Sequence, residues 1–252
     1  MSPTTTTGEN RFVFVAPMYN ASATLNQMLA SVVGQSYTNW RVILIDDVSD
    51  RDEVLKEKEI IERWQRMADP GQPNHRIQVI WNEEKRWEVA NVLHGIAYCA
   101  DNDIVCRLDA DDWLTELDGL MILHAAYTQF GVDALWTSHR WGFSDKNISA
   151  PMPMGSDPYR HPWVSSHLKT FRKHLLDGVN DQNYRGEDGN YIRRAGDQAI
   201  YLPALHQSKK WAFLPRVMYH YTIKDVPETY QTPDARFQRD EALFLRARGF
   251  VK

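Results

Sequence analysis

Apolar and polar positions sort the first half of the chain into alternating strands and helices. RFVFVAPMYN, residues 11–20, is rich in Val and Phe and reads as a strand that stops at Pro17. From Ser22 the period changes, and Leu25, Met28, Leu29, Val32 and Val33 recur as one face of a helix. WRVILIDDVS, residues 40–49, is a continuous apolar run of the kind buried on both faces of a parallel sheet. The charged stretch DEVLKEKEIIERWQRMAD then predicts a second helix, with Leu55, Ile60, Ile61 and Trp64 facing inward. HRIQVIWN predicts a third strand, EVANVLHGIAYCA a helix, and DIVCRLDADDW a fourth strand.

Strands alternating with helices of this length predict an α/β fold, doubly wound, with a mainly parallel central sheet flanked by helices. Such sheets bind ligands beyond the carboxyl ends of their strands. Asn20, Asp46, Asp47, Asn82, Asp109 and Asp111 all fall at or just after those ends. Polar residues thus gather on the edge where a site is expected.

Past Trp113 the pattern is less regular. LDGLMILHAAYTQFG predicts a helix, VDALWTSHRW a strand, and PDARFQRDEALFLRARG a last helix. Residues 145–165 carry Pro151, Pro153, Pro158 and Pro162 and read as one long loop, the kind that often forms a lid or binding surface. No internal repeat and no linker divides the chain. One domain is expected over 11–252, its more regular half running to residue 114.

Composition narrows the function class. The chain has 252 residues, 43% hydrophobic and 25% charged, as in an ordinary globular protein. A net charge of -4 argues against a nucleic-acid binder that works through a broad basic surface. Only Cys99 and Cys106 are present, which fits a reducing compartment better than a disulfide framework. MSPTTTTGEN lacks the basic and apolar regions of a signal peptide and reads as a disordered lead-in over 1–10. No apolar run approaches the roughly 20 residues that span a bilayer. The expectation is a soluble, cytoplasmic protein with no integral membrane segment.

The stretch CRLDADDWL crowds Asp109, Asp111 and Asp112 into four positions. Like charges so close raise one another's cost of ionising, so either a cation sits among them or the turn needs unusual capping. The ordered set VFVAPMYN, SVVGQSYTNW, VILIDDVSD and IVCRLDADDWL resembles family 2 glycosyltransferases of the GT-A fold. The likeness runs from residue 11 to 114 and more weakly to about residue 221.

That resemblance implies transfer of a sugar from a nucleotide-diphosphate donor to a glycan or other hydroxyl acceptor, with inversion at the anomeric carbon. It also implies a divalent cation, Mn2+ or Mg2+. Asp109 and Asp111 look like the family's DxD motif, with Asp109 toward the ribose or the metal's surroundings and Asp111 the direct ligand. A hard cation on carboxylate oxygen would stabilise the charge that grows on the departing diphosphate. Asp112 either shares the metal or braces the turn. His220, in MYHY, stands where some relatives present a late residue to the metal; the alternative is a packed histidine.

Pro17, Tyr19 and Asn20 end the first strand where the family places its base pocket, and a tyrosine ring offers a face for stacking. Asp47 matches the position that accepts a hydrogen bond from the base, leaving Asp46 to cap the turn. Lys85 and Arg86 are candidates for the pyrophosphate, Arg by bidentate contact. Glu88 stands where relatives carry a small residue. The family's catalytic base lies in a Glu-Asp pair opening a late helix, and two matches compete: Glu187-Asp188, the literal pair, and Asp197, ahead of the helical run AIYLPAL. Asp197 is the choice, by its distance from FLPRVMYHY. Trp163, His167 and Lys169 lie near the Pro-rich loop, toward an acceptor.

Two rivals remain. A nucleotidyltransferase making a nucleotide-sugar would want a Gly-rich phosphate loop after the first strand, and APMYNASAT has no Gly. A non-catalytic nucleotide- or sugar-binding module would bind without needing Asp197.

Overall fold

The computed structural model describes residues 9–71, 75–142, 144–145, 147–222 and 232–252. Most of the lead-in expected over 1–10 lies outside the described residues, as does residue 146 of the Pro-rich loop.

The opening elements are β1 (Phe12–Met18), α1 (Ser22–Val33), β2 (Trp40–Asp46), α2 (Arg51–Ala68), β3 (Ile77–Trp81), α3 (Trp87–Ile96) and β4 (Ile104–Arg107). They are followed by β5 (Trp113–Leu114), α4 (Gly119–Phe130), β6 (Ala134–Trp141), β7 (Lys169–Arg172), α5 (Gly196–Gln207), β8 (Trp211–Tyr221) and α6 (Pro233–Arg248). One eight-stranded sheet runs in the order β3-β2-β1-β4-β7-β6-β8-β5. The first four strands are parallel, as is the β6–β8 pair, whereas β7 and β5 pair antiparallel to their neighbours.

Strand alternation sorts the core into two layers. Phe12, Phe14 and Ala16 of β1 face α1 and α4, packing with Leu25, Met28, Leu29 and Leu120. Val13 and Val15 face the other way, onto Val89 and Val92 of α3 and Ile200 of α5. Each fully buried side chain of this kind contributes about 1.5–3 kcal/mol. Helix α5 is buried nearly all round, from Ala199 to Leu205, which is why its sequence lacks an amphipathic stripe.

Three sequence expectations are corrected. Pro17 does not stop β1, which continues to Met18 with Pro17 opposite Ile45. The β4 ladder ends at Val15↔Arg107, so β1 is an edge on that side beyond it, a setting that tolerates proline. Leu55 is not an inward residue of α2 but 62% exposed. The buried stripe of α2 runs through Glu57 and Ile61, four apart, and Leu55 lies about 200° around the helix from Glu57.

The fourth predicted strand is two strands. β4 ends at Arg107, and β5 pairs with β8 at the far end of the sheet. The chain from 108 to 112, LDADD, therefore crosses between the halves. It carries three carboxylates, of which Asp109 meets Arg107 of β4 and Asp112 meets Tyr219 of β8.

Candidate active site

The loops after β1 and β2 hold each other. Asp46 accepts from the N–H groups of Val48 (3.1 Å) and Ser49 (3.2 Å), closing a turn in which Val48 has φ 64°. Asn20, at φ 50°, donates from Nδ2 to Asp50 (2.8 Å) and accepts from the Asp50 N–H (2.8 Å). Beneath them Glu57 is fully buried and accepts from the Ala21 N–H at 2.7 Å. Burial pushes this carboxyl up, and its Oε2 has no partner among the described residues.

Tyr19 is 49% exposed, and Lys85 Nζ sits 3.5 Å from its ring centroid. The Tyr19 ring therefore lies at the surface rather than over the core. Asp47 is buried and accepts from the backbone N–H of Arg86 (2.7 Å) and of Trp87 (3.1 Å), tying β2 to the start of α3. Arg86 is exposed there.

Arg107, the last residue of β4, is buried and organises the centre. Its Nη1 donates to the Val15 carbonyl (2.9 Å), while Nη2 reaches both Asp109 Oδ1 (3.0 Å) and Glu88 Oε1 (3.0 Å). Burial raises the Asp109 carboxyl, with Arg107 opposing and Asp197 and Asp111 adding to the rise. Glu88 is pushed up to about 8 by burial, against the pull of Arg107 and with a further push from Asp109 and Asp197.

Asp112 turns inward. It accepts from the Tyr219 hydroxyl (2.5 Å) and the Thr222 N–H (2.7 Å), and burial together with Asp109 and Asp111 lifts it to about 8. Of the two roles open to it in the sequence, the contacts are those of a brace. Asp111 is half-buried, and its carbonyl accepts from the Thr222 hydroxyl (2.5 Å).

Asp197 lies in the first turn of α5. Lys169 Nζ, wholly buried, is 2.7 Å from its Oδ1, and His167 Nε2 is 3.4 Å from Oδ2. Burial acts to raise this carboxyl, yet Lys169, His167 and Arg107 together hold it well below the usual carboxylate range. His167 is driven down to about 3 by burial and by Lys169, and stacks on Tyr219 at 4.6 Å.

The structure thus gathers Asp109, Asp197, Glu88, Arg107 and Lys169 as one charged cluster. It leaves the rival base outside. Glu187 and Asp188 are exposed in a turn between Arg185 and Tyr191, with Asp188 bonded to Asn190. His220 also parts from its expected company: its ring stacks on Trp113, centroids 3.8 Å apart, opposite it in the β5–β8 ladder. Among the described residues no three His, Cys, Asp or Glu form a group able to hold a metal, so the trio Asp109, Asp111 and His220 is not a protein cage. Two hard carboxylates still fit a Mg2+ or Mn2+ that takes its other oxygens from water and a diphosphate. Trp163, expected toward an acceptor, packs on the core beneath.

Sequence reasoning missed Arg107, Tyr219 and the engagement of Glu88. Arg107 had a signal: a cation inside an otherwise apolar strand, two residues before a carboxylate. A groove between α2 and β3, lined by Lys58, Ile61, Gln65 and Trp81, shares no residue with the cluster.

The model of the family described as Glycosyl transferase family 2 matches residues 13–146. The chain is 30% identical over 95 residues to the putative glycosyltransferase EpsE of Bacillus subtilis, 38% of this chain and 31% of that one. It is 35% identical over 101 residues to the amylovoran biosynthesis glycosyltransferase AmsB of Erwinia amylovora, 40% of this chain and 31% of that one. The matched part is under a third of either relative's length. Among solved structures, TarS of S. aureus has a TM-score of 0.63 at 18% identity, covering 84% of this chain and 60% of that one. A mannosyltransferase from Pyrobaculum calidifontis, solved with GDP-Man and Mn2+, also gives 0.63, at 15% identity, covering 96% and 64%. These likenesses show the fold, an α/β GT-A arrangement with a mainly parallel sheet.

Proposed function

The chain belongs to glycosyl transferase family 2, and on that premise we propose that it moves a sugar from a nucleotide-diphosphate donor to an acceptor hydroxyl with inversion. One observation carries the reading most. Arg107 of β4 and Lys169 of β7 stand opposite each other in the sheet, Arg107 holding Asp109, the first carboxylate of the DADD turn, and Lys169 holding Asp197, the carboxylate chosen as base. TarS solved with UDP-GlcNAc and the mannosyltransferase solved with GDP-Man support a nucleotide-sugar as the donor class.

In this reading Tyr19 stacks the base, and Asn20 and Pro17 shape the floor of its pocket. Asp47 keeps lone pairs beyond its two backbone contacts with which to accept from the base. Arg86 reaches the diphosphate from the start of α3. Asp111 and Asp109 would hold a Mn2+ or Mg2+ ion, whose chemistry is to offset the charge growing on the diphosphate. Arg107, too buried to touch substrate, fixes the angle of Asp109.

Asp197 takes the proton from the acceptor hydroxyl as that oxygen bonds the anomeric carbon and the bond from that carbon to the diphosphate breaks. The Lys169 contact keeps Asp197 ionised and waiting. Direct displacement needs no covalent sugar–enzyme intermediate and passes through an oxocarbenium-like state. Among the described residues no helix is long and apolar enough to cross a membrane.

The test is to incubate the full chain with UDP-N-acetylglucosamine or GDP-mannose, Mn2+ and simple alcohol acceptors, and read the product's anomeric configuration by NMR. A β-glycoside from an α-linked donor supports inversion. Retained configuration, or no glycoside while donor binding persists, overturns the proposal.

A further inference from the structure

Gly196 opens α5 beside Asp197, and its backbone gives no reason for glycine: it is not among the residues with positive φ. Glycine in a helix also costs up to about 1 kcal/mol relative to alanine. The reason lies across the cleft. A Cβ on residue 196 would stand 2.3 Å from Cδ of Glu88, and 2.4 and 2.5 Å from its two carboxylate oxygens. With Glu88 held where it is, a Cβ at residue 196 would have to displace its carboxylate.

Glu88 enters from the first turn of α3. Its Oε1 accepts from the same Arg107 nitrogen that holds Asp109, both at 3.0 Å. Its carboxylate also lies at the N-terminus of α5, where the helix dipole favours negative charge. Three elements therefore meet on one side chain: α3 carries it, β4 pairs with it through Arg107, and α5 gives up a side chain to admit it. The side chain remains 30% exposed, at the mouth of the cluster.

We propose that Glu88 is a positioning residue for transfer: it locks the start of α5 against Arg107, so that Asp197 and Asp109 address one substrate, and Gly196 exists to receive it. This rests on the transfer reading above. It explains the missing side chain beside Asp197 by the same contact.

The test uses the full chain and four variants: Glu88→Gln, Glu88→Ala, Gly196→Ala and the double Glu88→Ala/Gly196→Ala. Melting temperature is read together with kcat and donor KM for release of nucleoside diphosphate from UDP-N-acetylglucosamine and GDP-mannose. Gly196→Ala should lower the melting temperature alone but raise it in the Glu88→Ala background, where the added methyl meets no carboxylate. Glu88→Ala should lower kcat by about tenfold to a hundredfold, the effect of a small misplacement of reacting groups, with donor KM little changed. Glu88→Gln, which still accepts from Arg107, should recover most of that loss.

A Glu88→Ala kcat within about twofold of the parent overturns the proposal, and so does a Gly196→Ala effect of the same sign in both backgrounds. A parent chain that binds a donor yet turns over neither sinks the transfer reading itself. The melting cycle distinguishes that failure, because it reads the Glu88–Gly196 contact without any turnover.

Discussion

Lys169 Nζ lies 2.7 Å from Asp197 Oδ1 with its ammonium wholly buried, so the proposed base is held by a cation that has no other way to meet solvent. A base so held stays ionised but is intrinsically weak. Lys169→Met should let the Asp197 carboxyl rise from its depressed value. The acid limb of kcat/KM should then move to higher pH, because protonation disables the base sooner. Breaking a buried pair also costs about 3 kcal/mol or more, which denaturant melts would show.

In the proposed reading the DADD turn divides into metal ligands, Asp109 and Asp111, and a brace, Asp112. Asp111→Ala should abolish the Mn2+ dependence of nucleoside diphosphate binding. Asp112→Ala should keep that dependence and lower the melting temperature. It strands the Tyr219 hydroxyl and the Thr222 N–H, at a cost of about 1–3 kcal/mol each if they stay buried. Calorimetry and thermal melts on the two variants separate the roles.

Tyr19 offers an exposed ring with Lys85 over one face. Tyr19→Ala should weaken nucleoside diphosphate binding by about 1–3 kcal/mol, the usual worth of base–aromatic stacking. Tyr19→Phe should bind nearly as the parent does. Equal affinity in all three proteins would remove Tyr19 from the base pocket.

His167 gives a pH signature in stability. Its folded pKa, down to about 3, lies below the ordinary 6.5. Between those values the unfolded chain binds a proton that the folded chain refuses, so stability rises with pH there. The contribution is complete above pH 6.5 and is lost as pH falls toward 3. Facing His167 are Lys169, Asp197, His139 and Arg107. His139, also depressed, to about 4, adds in the same direction. His167→Asn should reduce the acid slope of unfolding free energy by up to about 1.4 kcal/mol per pH unit, measured by urea titration between pH 4 and 6.5.

The order of elements was legible because β1, β2 and β4 are apolar runs buried on both faces, while α1 and α3 carry clear apolar stripes. β7 was not read. Its KTFR is four residues long and begins with Lys169, a charge that disguises a core strand. The break between β4 and β5 was hidden for a related reason: LDADD looks like a strand end, and only pairing with β8 shows where the chain goes next.

At the site, the aspartates were visible as types and spacings. What holds them was not, because it comes from afar: Arg107 needs Val15 and Glu88, and Asp197 needs Lys169 from β7. His220 illustrates the converse, a metal-ligating type whose ring face stacks on Trp113, a contact invisible in the sequence.

The most direct measurement is calorimetric titration of the full chain with UDP, GDP, UDP-N-acetylglucosamine and GDP-mannose, each with Mn2+ and again with chelator. The account predicts that one base family binds, that binding depends on Mn2+, and that Asp111→Ala loses it. No heat from any of the four, with or without metal, would contradict a donor site built on the DADD turn.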